Sequence, residues 1–349
     1  MADNRMKAVY QAAADLNSRP RYIVDLVHQL AEPLRRGDSI DVPAFSALTQ
    51  KTDGATRAAP DAVSMSALSV LADLHPAIVA AMPQLSQEQL MEGGWASALV
   101  SEGLKQLRNG MDDALVQYLL KSITGTSTTY HENIGGVMLT TEHILAARAK
   151  IRSGGGGGPL ALFVNPMGFG AMQRLSGFQP SGHTPPGAEF YGVPLLGSVY
   201  GIPIYESQAI QPKTVTPSAT SVTSNVATAT VAAGHGFLAG QRIKTTGATV
   251  DATNATISSV TATTIVYPLT TGNGALAAPG VIECLTHENL LIDLDVGVYV
   301  AQQKAPGFRI VQDAESINDV LQVSSIWGRT GRAGRVIAIG TNAASILNS

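Results

Sequence analysis

The chain has 349 residues, 45% hydrophobic, 14% charged and 5% aromatic, with a formal net charge of −3. So much apolar content with so little charge excludes a disordered chain, which is charge-rich and apolar-poor. It also excludes a long coiled coil, which needs Glu, Lys and Leu at heptad spacing.

Residues 1–36 read as an arm with a short helix, in which Arg21 to Val27 places apolar side chains on one side and Pro20 and Pro33 punctuate the segment. In the following Arg35 to Pro43, Ile40 and Val42 alternate with Ser39 and Asp41, the period of a half-buried strand. Asp53-Gly54 is a hairpin signal. Residues 37–63 thus predict a long exposed β-loop with too few core-facing residues to pack alone.

Ser86 followed by Gln89 is a capping-box start. From Trp95 to Leu119, apolar residues recur at spacings of three and four, which predicts one long helix over about 86–124. A second helix opens at Thr140-Thr141-Glu142 and stops at Ser153, before the five glycines 154–158, which read as a flexible connector. Leu160–Val164 is a short buried strand, and Asn165-Pro166 leads into a short helix. Gly201 to Glu206 is again strand-like.

The composition then shifts. Between Thr214 and Thr271 roughly a quarter of the residues are Thr, and only Arg242, Lys244 and Asp251 are charged. Short alternating pieces with turn residues about every ten positions predict a small all-β module, inserted at 213–275. The α+β pattern resumes afterwards through Leu290–Gly297, Val320–Ile326 and Arg335–Ile339. Val281–Leu285 is expected to join the host sheet.

The charge balance offers no basic excess for phosphate neutralisation. A surface with few charges suits burial against other copies of the same chain. Cys284 is the only cysteine, so neither an intrachain disulfide nor a cysteine-based zinc site is expected. The N-terminus leads into no apolar stretch of a signal peptide, and no run of 18 apolar residues predicts a membrane span.

Gly328-Arg329-Thr330-Gly331-Arg332-Ala333-Gly334-Arg335 is similar to the arginine-bearing motif near the end of superfamily-two helicase cores. That chemistry needs a G-x-x-x-x-G-K-[ST] phosphate loop, and glycines 154–158 run instead into Pro159-Leu160. The motif therefore reads as a Gly-rich hairpin turn between Ile326 and Val336 whose arginines make ionic contacts. The seven histidines form no H-x-x-x-H pair, and His131-Glu132 and His287-Glu288 stand as isolated pairs. No metal site, cofactor site, nucleophile elbow or acid/base pair is found, so no enzyme is expected.

The order of these parts resembles tailed-bacteriophage major capsid proteins of the Hong Kong 97 type, over nearly the whole chain. Residues 1–36 resemble the N-terminal arm. Residues 37–63, with Gly37-Asp38-Ser39-Ile40-Asp41-Val42-Pro43, resemble the extended β-loop. Residues 64–152 resemble the peripheral domain with its spine helix, and 153–212 the axial domain, with Gly201-Ile202-Pro203-Ile204-Tyr205-Glu206-Ser207 matching a family strand. Residues 213–275 resemble a small Ig-like module of phage structural proteins, by Gly234 to Ile243, and 276–349 return to the axial and peripheral domains.

The resemblance implies an α+β fold of that type and a coat protein without enzymatic activity. Such a protein self-assembles into pentamers and hexamers that form an icosahedral shell around double-stranded DNA, without sequence-specific binding. It also implies a separate scaffolding protein, a portal, room for cement or decoration proteins, no large propeptide, no cofactor and no membrane. The location is the virion capsid, and the host cytoplasm during assembly. Arg35, Arg36, Asp38, Lys51, Asp53, Arg329, Arg332 and Arg335 are the expected intersubunit contacts. The alternative is a phage tail or adhesin-like protein whose β-module binds a receptor or glycan.

Overall fold

Leu160–Val164 is buried at all five positions because it is covered on both faces. Strand alternation sends Ala161 and Phe163 into one apolar cluster and Leu160, Leu162 and Val164 into another. A strand covered on both sides reads as an unbroken apolar run, as this one does. The computed structural model describes residues 23–30, 39–45, 65–71, 80–81, 94–136, 138–180, 195–207, 209–270, 273–276, 279–312 and 319–342. Within them the α+β architecture read from the sequence is present.

Leu160–Val164 is central in a seven-stranded mixed sheet. Its order is His131–Glu132, Val336–Asn342, Thr286–Asp293, Leu160–Val164, Ile202–Glu206, Leu195–Val199, Phe178–Pro180. On one face lies helix α3 (Thr141–Ser153), burying Ile144, Ala147 and Ile151. Thr140 caps it, with the His143 ring reaching back to the Thr140 N–H. The other face meets the end of the long helix α2 (Gly94–Tyr118) through Met111, Leu115, Leu119 and Leu120. The predicted start of that helix at 86–93 lies outside the described residues. After Tyr118 a π-helical turn, Leu119–Ile123, and a 3₁₀ turn, Thr124–Thr126, close it.

Helix α2 also lies against a long antiparallel hairpin, Val298–Gln312 with Asp319–Gly331. A short helix α1 (Ile23–Leu26) is tied to α2: the Asp112 carboxylate accepts the N–H groups of Ile23 and Val24, both at 2.9 Å. Arg108 pairs with Asp25 beside it. Ser39–Phe45 and Met65–Leu71 form an antiparallel ribbon in full register, Ser39 opposite Leu71 and Phe45 opposite Met65. Among the described residues this two-stranded sheet gains no third strand, and it lies near Asp319–Gly331. The Asp53-Gly54 turn lies outside the described residues.

The all-β module has its own core around Phe237, Ile243, Ile265, Tyr267 and Ile282. It is built from a four-stranded and a five-stranded sheet. Its boundary differs from the expected 213–275. Pro279–Cys284 pairs with Thr214–Val215 and with Arg242–Ala248, inside the module rather than in the host sheet. Ile282 and Cys284 alternate into the module core, so the strand belongs there. The chain passes Leu285 and enters the host sheet at Thr286. The return to the host therefore begins ten residues later than the sequence pattern placed it.

Two further expectations change. Glycines 154–158 form a bonded turn rather than a loose connector. Gly154 and Gly156 donate to Lys150 O and Ile151 O, and Arg152 donates to Gly156 O and Gly158 O. The turn before Val336 is not a hairpin, because Asp319–Gly331 and Val336–Asn342 belong to different sheets. It is the crossing between them.

Candidate functional site

Among the described residues, the module's apolar cluster contains no host residue. Polar contacts between module and host centre on Glu288, in the host strand Thr286–Asp293. Lys213, just ahead of the module's first strand, places its Nζ 2.7 Å from Glu288 Oε2 and donates to Gly236 O at 2.6 Å. Gln241 donates from Nε2 to Glu288 Oε1 at 2.6 Å, and its own Oε1 accepts the Leu238 N–H at 2.9 Å. From the host side, His131 Nδ1 lies 3.3 Å from the same Glu288 Oε1. The opposite ring nitrogen donates to Thr124 O at 3.0 Å.

The side chains of His131, Lys213 and Glu288 are only 1%, 2% and 3% exposed. Charges this deep persist only when paired and hydrogen-bonded. Burial pushes the His131 ring below the ordinary histidine value, and Lys213 and Lys150 push the same way. Glu288 and the Thr124 carbonyl oppose that shift. Burial also pushes the Cys284 thiol up to about 12, so it is a small apolar side chain rather than a nucleophile. Lys150 closes the cluster from α3, donating to His131 O and pairing with Glu132, both at 2.8 Å.

A backbone contact accompanies these bonds. The Gly234 to Phe237 turn lies on the π-helical end of α2, where Gly236 approaches Lys121 and Gly125. Both Gly234 and Gly236 have positive φ. π-turns of this kind often mark functional sites.

The arginines singled out from the sequence are placed as follows. Arg329 stacks over Trp327 and Tyr118, 5.1 and 5.2 Å from the ring centroids. Arg335 donates to Ile151 O at 3.1 Å, at the C-terminal end of α3, and lies along Gly154 to Gly156. The backbone N–H of Arg332 donates to Gly297 O. Arg329 and Arg335 thus make contacts within the chain, and the glycine run and the arginine motif are partners of one another. Arg35, Arg36, Asp38, Lys51 and Asp53 lie outside the described residues.

Nothing in the sequence marks Lys213 or Gln241, and His131 and Glu288 stand there only in isolated His-Glu pairs with no sign that they meet. The one visible signal was the pair of His-Glu dipeptides, His131-Glu132 and His287-Glu288. Among the described residues no group of three or more potential metal ligands occurs, and no helix is long and apolar enough to cross a membrane.

No family model matches the chain, and no curated protein matches it. The chain is similar to several solved structures. One is the mature capsid of bacteriophage PhiM1, at 12% identity and TM-score 0.48, covering 90% of this chain and 85% of that one. A second is the capsid of an empty GTA particle, at 10% identity and TM-score 0.49, covering 91% and 88%. A third is a virus-like particle from Pyrococcus furiosus, at 9% identity and TM-score 0.46, covering 95% and 96%.

Proposed function

We propose that this chain is a major capsid protein of a tailed phage, one that assembles into pentamers and hexamers and closes into an icosahedral shell around double-stranded DNA. The observation that carries this reading is the Ser39–Phe45/Met65–Leu71 ribbon, which among the described residues has no third strand. A two-stranded ribbon is marginal in water, so its natural place is against a neighbouring subunit. The long hairpin braced by α2 supplies an extended platform, and the 14% charge content suits a surface largely covered by other copies. Heterologous contacts between such surfaces close into rings and shells when the rotation between copies allows it.

The role is structural rather than enzymatic. Its partners are further copies of the chain, a scaffolding protein, a portal and any cement proteins, and its location is the virion, reached from the host cytoplasm. Arg35, Arg36, Asp38, Lys51, Asp53 and Arg332 are proposed to serve subunit contacts. The test is sedimentation and negative-stain microscopy of the protein co-expressed with its genomic neighbours. Closed particles are expected, and a monodisperse monomer under all such conditions overturns the reading.

A further inference from the structure

Glu288 Oε1 is shared between two sides of the junction. Gln241 of the module bonds it at 2.6 Å, whereas His131 of the host stands off at 3.3 Å. The other carboxylate oxygen holds the module's Lys213 at 2.7 Å. We propose that Glu288 is a proton-operated latch, holding the inserted module to the host while His131 is neutral and giving up that hold when His131 gains a proton.

A neutral imidazole has one N–H, and the 3.0 Å contact to Thr124 O accounts for it at Nε2. Nδ1 then carries a lone pair toward Glu288 and makes no claim on Oε1. A proton added at Nδ1 turns it into a charged donor aimed at that oxygen, in competition with the neutral Gln241 amide. The Gln241 bond is already charge-assisted through its carboxylate acceptor, but a donor that also carries charge binds that oxygen more strongly than a neutral amide, so the Gln241 hold on Oε1 weakens. The new positive charge also faces Lys213 across the same carboxylate. The other charged groups around the ring do not reverse this. Lys150 is already paired with Glu132 and bonded to His131 O, and Cys284 remains a neutral thiol.

Because the module's apolar cluster contains no host residue among the described residues, these bonds are prominent in the junction, beside the Gly234–Phe237 contact and the approach of Gly240 to Ile134. Its strength therefore follows protonation in a way that the two cores do not. Burial holds His131 below its ordinary 6.5. The contribution of the latch is complete above about 6.5 and is lost as the pH falls through the lowered value of the buried ring.

Hydrogen exchange read by mass spectrometry on the intact free chain, between pH 7.5 and 5.0, tests this after correction for intrinsic exchange rates. The reporter is the 234–241 segment, whose Leu238 N–H is bonded to Gln241 Oε1. Its protection should fall at least tenfold at pH 5.0, while Val226–Thr230 and Leu160–Val164 keep theirs. His131→Asn should abolish the acid response. Unchanged protection of 234–241 at pH 5.0, or a loss shared equally by the core strands, overturns the latch. So does an undiminished acid response in His131→Asn. Should that variant not fold, His131→Gln replaces it, and the wild-type series alone still decides.

Discussion

Gly125 and Gly236 meet backbone to backbone: a Cβ placed on Gly125 would stand 2.8 Å from the Gly236 Cα. One glycine closes the long helix and the other tips a turn of the inserted module, so their contact brings module and host together without a side chain between them. The polar cluster around Glu288 lies beside it, through the Lys213 bond to Gly236 O.

Gly236→Ala should therefore cost more than a backbone penalty. Its φ is +72°, and an added Cβ would stand 2.8 Å from Lys121 Cα. Gly201 is the control, with φ +76° and open space where a Cβ would go. Gly201→Ala should cost about 1 kcal/mol, the order of cost of a left-handed conformation for an L-residue. Gly236→Ala should cost clearly more, about 2–3 kcal/mol, since over-packing adds to that strain. Urea unfolding of the two variants beside the wild type measures the difference. Equal losses would mean that the module is not seated on the helix end.

Lys213→Met removes the cation from Glu288 and leaves a carboxylate at a site only 3% exposed. Breaking one side of a buried ion pair costs about 3–5 kcal/mol. Adding Glu288→Gln to Lys213→Met removes the stranded charge and should restore most of that loss. A double-mutant cycle from denaturant melts reads the coupling. Additive losses would mean that the two side chains do not act as a pair.

Period-two and period-three-to-four patterns made Leu160–Val164, α3 and the end of α2 legible, because each buries a face whose spacing is written locally. Register is not written locally. Nothing near Glu288 in the chain announces Lys213 or Gln241, which reach it only once the module has folded and docked. The same applies to Arg335 and the glycines at 154–158, two separately noted features whose approach to each other depends on a sheet crossing. The module's far boundary was missed because Thr271 ends the Thr-rich stretch, while Pro279–Cys284, with ordinary composition, supplies its last strand.

Asp112 should give the fold a pH dependence of opposite sense to that of His131. Burial raises its carboxyl from 3.8 to about 7, although the Ile23 and Val24 N–H groups lower it. A carboxyl whose folded value lies above its unfolded one contributes stability that is fully present below about 4 and is lost as the pH rises through about 7. Asp112→Asn carries no such titration and keeps an acceptor for one of the two N–H groups. Melting temperatures of Asp112→Asn and its parent from pH 4 to 8 should diverge in favour of Asn as the pH rises. A constant difference across that range would refute the assignment.

The corrected boundary changes how the module should be excised. Cys284 donates its N–H to Lys213 O at 2.8 Å, so the true ends of the module touch. A cut at 213–275 would leave Pro279–Cys284 behind, an orphan strand with Ile282 and Cys284 stripped of the core they fill. A cut from 213 to 285 removes the whole module and leaves Thr286–Asp293 in its sheet, between Val336–Asn342 and Leu160–Val164. It also strips Lys213 and Gln241 from Glu288, so the deletion must carry Glu288→Gln to avoid a buried, uncompensated charge. With a short Gly-Ser linker, this construction should fold cooperatively, with the host's helical circular dichroism retained. The 213–275 deletion should be poorly soluble, and the 213–285 deletion with Glu288 intact should melt earlier than its Gln counterpart. If the shorter deletion proves the more stable, Pro279–Cys284 serves the host after all. If all three unfold, the host needs the module docked on the end of α2 to hold its own core.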